Sequence, residues 1–128
     1  MQPQVEFFNL IRTTLEENLD LFSGFSANAL PTTGGLYMEL AAGYNDGIFL
    51  NKQANKVIPI LFMGKSTNLM LLLDNLYQIG NYLQNLRPYP QGETFSWDGA
   101  EVSTEPTKVD YSNNYYTYSC IVDFKICI

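Results

Sequence analysis

The sequence predicts an α+β fold: a mostly antiparallel sheet of four to five strands with two helices packed on one face, in the order α-β-β-β-α-β-β. Three observations predict it. The run "NLMLLLDNLYQIGNYLQNL" at 68–86 repeats Leu69, Leu72, Leu76, Ile79, Leu83 and Leu86 at spacings of three and four, the stripe of an amphipathic helix. The closing run "NYYTYSCIVDFKICI" sets Tyr116, Tyr118, Cys120, Val122, Phe124, Ile126 and Ile128 at every second position, one face of a strand. Helical and alternating runs are segregated along the chain, which argues against a parallel sheet built from interleaved strands and helices. The 128 residues carry no internal repeat and no linker, so the prediction is one domain over 1–128.

The first helix is expected over 4–22, where Phe8, Ile11, Leu15, Leu19 and Phe22 share a face. Pro3 is tolerated in its first turn, and Gly24 stands just past its end. "SGFSANALPTTGG" is turn chemistry. "LYMELAA" then alternates through Leu36, Met38, Leu40 and Ala42 as a half-buried strand. "GYNDG" at 43–47 has the residues of a tight turn, with Ile48–Asn51 returning as the second arm of a hairpin. After the polar "KQANK", Val57–Met63 is apolar on both faces and reads as an interior strand. Pro59 removes one ladder donor, which calls for a bulge or an edge at that point. On the leucine helix, Asp74, Gln78, Asn81 and Asn85 form an outer face rich in amides and almost without charge. Residues 87–114 read as irregular, with one short strand near Ala100–Thr104.

The stretch "IPILFMGKSTNLMLL" looks like a phosphate loop between a strand and a helix. That motif needs a glycine five residues before Gly64, and the residue there is Pro59. Ile60, Leu61, Phe62 and Met63 favour strand and core over a backbone cradle. The expectation is a helix start, with Ser66, Thr67 or Asn68 supplying the capping oxygen and Lys65 solvated.

Other chemistry is equally poorly supplied. There is no histidine, which excludes a Cys–His pair and the commonest metal ligand. Cys120 and Cys127 on one strand would stand about 23 Å apart at ~3.3 Å per residue, beyond the ~7 Å a disulfide spans. Glu16–Glu17 and Glu101–Glu105 read as solvated carboxylates, and no general base accompanies the Ser and Thr hydroxyls. A nucleophilic Cys120 or Cys127 is the one enzymatic route left open. No catalytic, metal or cofactor residue is assigned, and no cofactor is expected.

Thirteen acids against seven bases give a net charge of −6, which disfavours generic binding to nucleic-acid backbone. No apolar run reaches the ~18–20 residues needed to cross a bilayer, and the N-terminus lacks the pattern of a secretion signal. The chain is expected to be soluble and made in the cytoplasm. The charges are segregated. Lys52, Lys56 and Lys65 lie in a stretch without acids, and the 93–110 stretch is acidic. Tyr89, Phe95 and Trp97 stand in a polar segment, either pinning it to the core or anchoring a partner.

The element order, "VIPILFMGKST" running into the leucine helix, and the closing strand "YYTYSCIVDFKICI" together resemble the tail terminator (tail completion) proteins of tailed bacteriophages, including relatives described as phage minor capsid proteins. The resemblance covers nearly the whole chain. It implies a virion structural protein, not an enzyme. Such a protein forms a homo-hexameric ring at the head–tail junction and meets the tail tube protein and the head–tail connector proteins. DNA passes through its ring without specific binding, and no membrane is involved. Under that reading the expected contact sites are the hairpin tip (Tyr44, Asn45, Asp46), the Lys52–Lys56 loop and the Phe95/Trp97 loop. The alternative is a small cytosolic α+β adaptor, monomeric or dimeric.

Overall fold

The computed structural model describes residues 2–26, 29–41, 44–48 and 54–128, with side chains left undescribed at 44–48 and 54–55. The elements are α1 (Pro3–Asn18), β1 (Phe25–Ser26), β2 (Gly35–Leu40), β3 (Tyr44–Ile48), β4 (Ala54–Ser66), α2 (Leu69–Asn85), β5 (Ser96–Ser112) and β6 (Tyr115–Cys127). The sheet order is β1-β2-β4-β6-β5, with β3 pairing β4 beyond the end of β2. All pairs are antiparallel except β1 with β2. The fold is α+β.

Both helices cover the same face of the sheet. Alternation sends Ile58, Ile60 and Phe62 of β4, Leu36 and Met38 of β2, and Cys120, Val122, Phe124 and Ile126 of β6 into one core with Ile11 and Leu15 of α1 and Leu72, Leu76, Ile79 and Leu83 of α2. Each fully buried aliphatic or aromatic side chain contributes about 1.5–3 kcal/mol, so this core outweighs any single polar contact in the molecule.

α2 matches its predicted span almost residue for residue. Asn68 caps it, its side-chain oxygen accepting from the Leu71 N–H at 3.1 Å. α1 stops at Asn18, short of the expected 22, and its buried aromatic is Phe7 in place of Phe8. Two polar grips hold the segment that follows. Arg12 donates to the Phe25 carbonyl at 2.8 Å, and Glu16 accepts the Phe25 N–H at 2.9 Å, so both backbone groups of Phe25 in β1 are satisfied from α1. The buried Asn75 accepts the Phe22 N–H at 3.0 Å and donates to the Leu71 carbonyl, tying the same segment to α2.

Pro59 is central in β4, paired with Asp123 on one side. On its other side β2 ends at Leu40↔Ile60 and β3 begins at Tyr44↔Val57. The Pro59 carbonyl accepts from the Ala41 N–H at 2.9 Å, on the same side, so the missing N–H faces the break between the two strands. This is the irregularity that the proline demanded.

Two expectations need correction. "GYNDG" is not a turn. Tyr44–Ile48 is itself a strand continuing the direction of β2 along β4, and the returning arm expected beyond Ile48 lies outside the described residues. The 87–114 segment is not mostly irregular either. Its second half is the seventeen-residue β5, joined to β6 by Asn113 and Asn114, whose φ of 53° and 67° make the two-residue turn that suits a twisted hairpin.

Candidate functional site

The residues expected to make contacts do not converge. Tyr44, Asn45 and Asp46 lie within β3, with Asn45 opposite Lys56 and a register shift immediately after it, and they form no hairpin tip. Lys52 is outside the described residues. Lys56 and Lys65 both belong to β4, nine residues apart, which puts them about 30 Å apart along the strand and on opposite faces. Lys56 is on the helix side beside Ile126; Lys65 is on the far side, its ammonium 5.1 Å from the Tyr115 ring centroid. The two described lysines of the acid-free stretch, Lys56 and Lys65, therefore share no basic patch.

Phe95 and Trp97 are buried, which corrects their assignment as contact residues. Phe7 packs edge-on against Phe95, Trp97 and Phe124 at centroid distances of 5.2, 5.4 and 5.1 Å. Tyr89 stacks on Trp97 at 4.4 Å, and the Arg87 guanidinium lies 4.5 Å over Tyr89. Gln91 holds both backbone groups of Trp97, accepting at 2.9 Å and donating at 3.1 Å. Glu6 accepts from the Glu93 N–H at 2.7 Å and from the Thr94 hydroxyl at 3.2 Å. The aromatics of this polar stretch are pins, and the polar residues around them are their fasteners.

Gly64 and Lys65 of "GKST" are strand residues, and Ser66 accepts from the Asn68 N–H at 3.0 Å just before α2 begins. Among the described residues, no three of His, Cys, Asp and Glu are grouped so as to hold a metal ion. Burial, reinforced by the nearby Glu105 carboxylate, pushes the Cys120 thiol up to about 12 from its ordinary 9.0. Iodoacetamide at pH 8 should therefore leave Cys120 unmodified in the native protein and label it once denaturant is added, as read by peptide mass. Rapid native labelling would contradict the buried placement. The folded state favours the protonated thiol, so this group's contribution to stability is complete below pH 9 and declines as pH rises towards about 12.

What the geometry presents is surface on two opposite sides of the sandwich. On the helix side, α2 turns outward Met70, Leu71 and Tyr77, which are 74, 39 and 46 % exposed, and Asp74 is its sole charged residue. Beside them a cavity of about 470 Å³ is lined by Leu19, Asp74, Tyr77, Gln78, Asn81 and Tyr82. Gln78 Oε1 is itself buried, with no hydrogen-bond partner among the described residues. On the far side, no described helix packs on the sheet. There Tyr37, Met63, Leu61, Ile121 and Pro59 form a half-buried apolar stripe across β2, β4 and β6, placed by the pairs Tyr37↔Met63 and Leu61↔Ile121. An antiparallel sheet facing water on one side normally carries polar residues there.

No family model matches the chain, and no curated protein matches it either. No helix among the described residues is long and apolar enough to cross a membrane.

The free edge of β5 is a poor docking site by comparison. It carries exposed Asp98, Glu101, Glu105 and Asp110, a proline at 106 and four register shifts, the features that keep an edge from pairing with another chain. The apolar stripe was foreshadowed in the sequence by Val57–Met63, apolar at every position. The α2 surface was foreshadowed by its lack of charge. Neither signal says which side of a strand or helix stays uncovered.

Proposed function

We propose that the protein is a virion structural subunit of a tailed phage that assembles into a ring ending the tail tube and joins it to the head connector. The observation that carries this reading is the pair of apolar surfaces on opposite sides of one subunit, exposed on α2 and half-buried on the face of the sheet that no described helix covers. A monomer with a single partner needs one such surface. A subunit in a cyclic assembly meets each neighbour through a different patch and still has to meet what lies above or below it. With seven Lys and Arg in the chain, few phosphate contacts are available, which suits a channel that lets DNA pass. The role is structural and requires no cofactor.

Light scattering across protein concentration tests this. A species near six times the 14.5 kDa chain is expected, and Met70→Glu with Tyr77→Glu should reduce it to the monomer while the circular dichroism spectrum is unchanged. A wild-type chain that stays monomeric at every concentration would remove the self-assembly argument and leave the adaptor as the better reading.

A further inference from the structure

The open face of the sheet has an electrostatic character that its apolar stripe does not explain. Glu101 and Asp123 are directly opposite one another on β5 and β6, a like-charge pair that a sheet ordinarily avoids. With Asp98 and Lys125 they line a cavity of about 470 Å³ floored by Val57, immediately beside Pro59 and the stripe. Asp98 and Asp123 accept from the Ser96 and Ser103 hydroxyls, and Glu101 has no partner among the described residues. None of the three carboxylates forms an ion pair there; the ion pair among described residues is Arg12–Glu16. Glu39, exposed at the other margin beside Leu61, adds a fourth acid to the face.

Most of the described cations are engaged elsewhere; Lys52 lies outside the described residues. Arg12 is held by Glu16 and the Phe25 carbonyl, Lys65 lies over Tyr115, Arg87 over Tyr89 and Lys108 over Tyr111. Lys125 is already part of the cavity, and Lys56 emerges on the helix side. Among its described cations, a second copy would bring to this face only Lys56 without such a contact.

We infer that the open face docks a cationic amphipathic helix of a different protein, its apolar side along Pro59, Leu61 and Met63 and its Arg or Lys side chains entering the Asp98/Glu101/Asp123 cavity. The stripe from 59 to 63 runs about 13 Å along β4 at ~3.3 Å per residue, the length of two to three helical turns. The inference rests on the reading of the chain as an assembly subunit and names the chemistry of its non-self partner.

The probe is a fluorescein-labelled eighteen-residue helical peptide with leucine along one face and arginine on both flanks, followed by anisotropy against the full chain at 0.15 M salt. Binding is expected, with at least a tenfold loss for Glu101→Gln/Asp123→Asn and for Leu61→Ser. A control peptide with glutamate in place of arginine should not bind. Asp123→Asn keeps the acceptor for Ser103, Glu101 is exposed, and Leu61 and Asp123 are half-buried on the face away from the helices, so an unchanged circular dichroism spectrum is the check on folding for each variant. Equal binding by either variant, or by the glutamate peptide, overturns the inference. Light scattering of the double variant separates the two proposals. An unchanged mass keeps this face apart from self-contact, and a reduced mass makes a second copy its occupant and overturns the inference. If the chain is monomeric throughout, the ring falls while the peptide result stands.

Discussion

Replacing Trp97 by alanine should lower the unfolding free energy by about 3–5 kcal/mol, a large part of the 5–15 kcal/mol typical of a domain. Trp97 is 2 % exposed and touches aromatic rings from three directions: Phe7 of α1, Tyr89 of the preceding loop and Phe124 of β6. Its indole N–H donates to the Gly99 carbonyl at 3.0 Å, so the ring cannot shift to fill a neighbouring gap without losing that bond. Truncation would leave a cavity where α1, the 87–95 loop and the sheet meet, and Gln91 would clasp a backbone with nothing behind it. Urea unfolding of the variant measures this directly. A loss below about 1 kcal/mol would mean that the ring packs on the surface and that the contact role expected from the sequence has to be restored.

Gly64→Ala should cost about 1–3 kcal/mol, and Gly64→Val more. A Cβ there would overlap Leu72 Cδ1 and stand 3.1 Å from Leu36 Cδ2, both in fully buried side chains. α2 approaches the sheet closely at this point because the strand beneath it has no side chain. The added carbon must push the helix outward or force Leu72 from its rotamer. Leu72→Ala makes room, so the double variant Gly64→Ala/Leu72→Ala should be more stable than the sum of the two single losses predicts. Strict additivity in urea unfolding would show that the helix and Gly64 are not in contact. The same result explains the glycine of "GKST" by packing, with no ligand involved.

How much was legible in the residues follows from how each element is used. α2 and β6 have one covered face and a steady period, so their stripes announced both the element and the side that is buried. β5 was expected only as a short strand near Ala100–Thr104, and its full length escaped notice because it is an edge strand. Beyond Val102 nearly every residue is exposed, so neither face requires an apolar row, and Pro106 and the four register shifts break what alternation remains. The signal that could have found it is Asn113–Asn114, two residues tolerant of positive φ placed directly before an alternating run. β1 is two residues long and is held by Arg12 and Glu16 from α1, a tertiary contact that no local pattern reports. "GYNDG" misled because Asn, Asp and Gly permit a turn without requiring one, and β4 offered that segment a partner. Phe95 and Trp97 were ambiguous for a similar reason: aromatic residues among polar ones look alike whether they face inward or outward, and Phe7, 90 positions earlier, decides it.

Pro59 has one more consequence, for errors made while the chain is folding. A strand with one apolar face is safe from slipping by a residue, since the slip would turn its apolar row into water. β4 lacks that protection: apolar side chains line both of its sides, and a frame shifted by one would bury Pro59, Leu61 and Met63 almost as comfortably as Ile58, Ile60 and Phe62. The proline makes the wrong frame expensive, because any shift carries the missing donor away from the break between β2 and β3 and sets it against a carbonyl that expects one. A strand with apolar side chains on both faces thus carries within it the mark that tells the two faces apart.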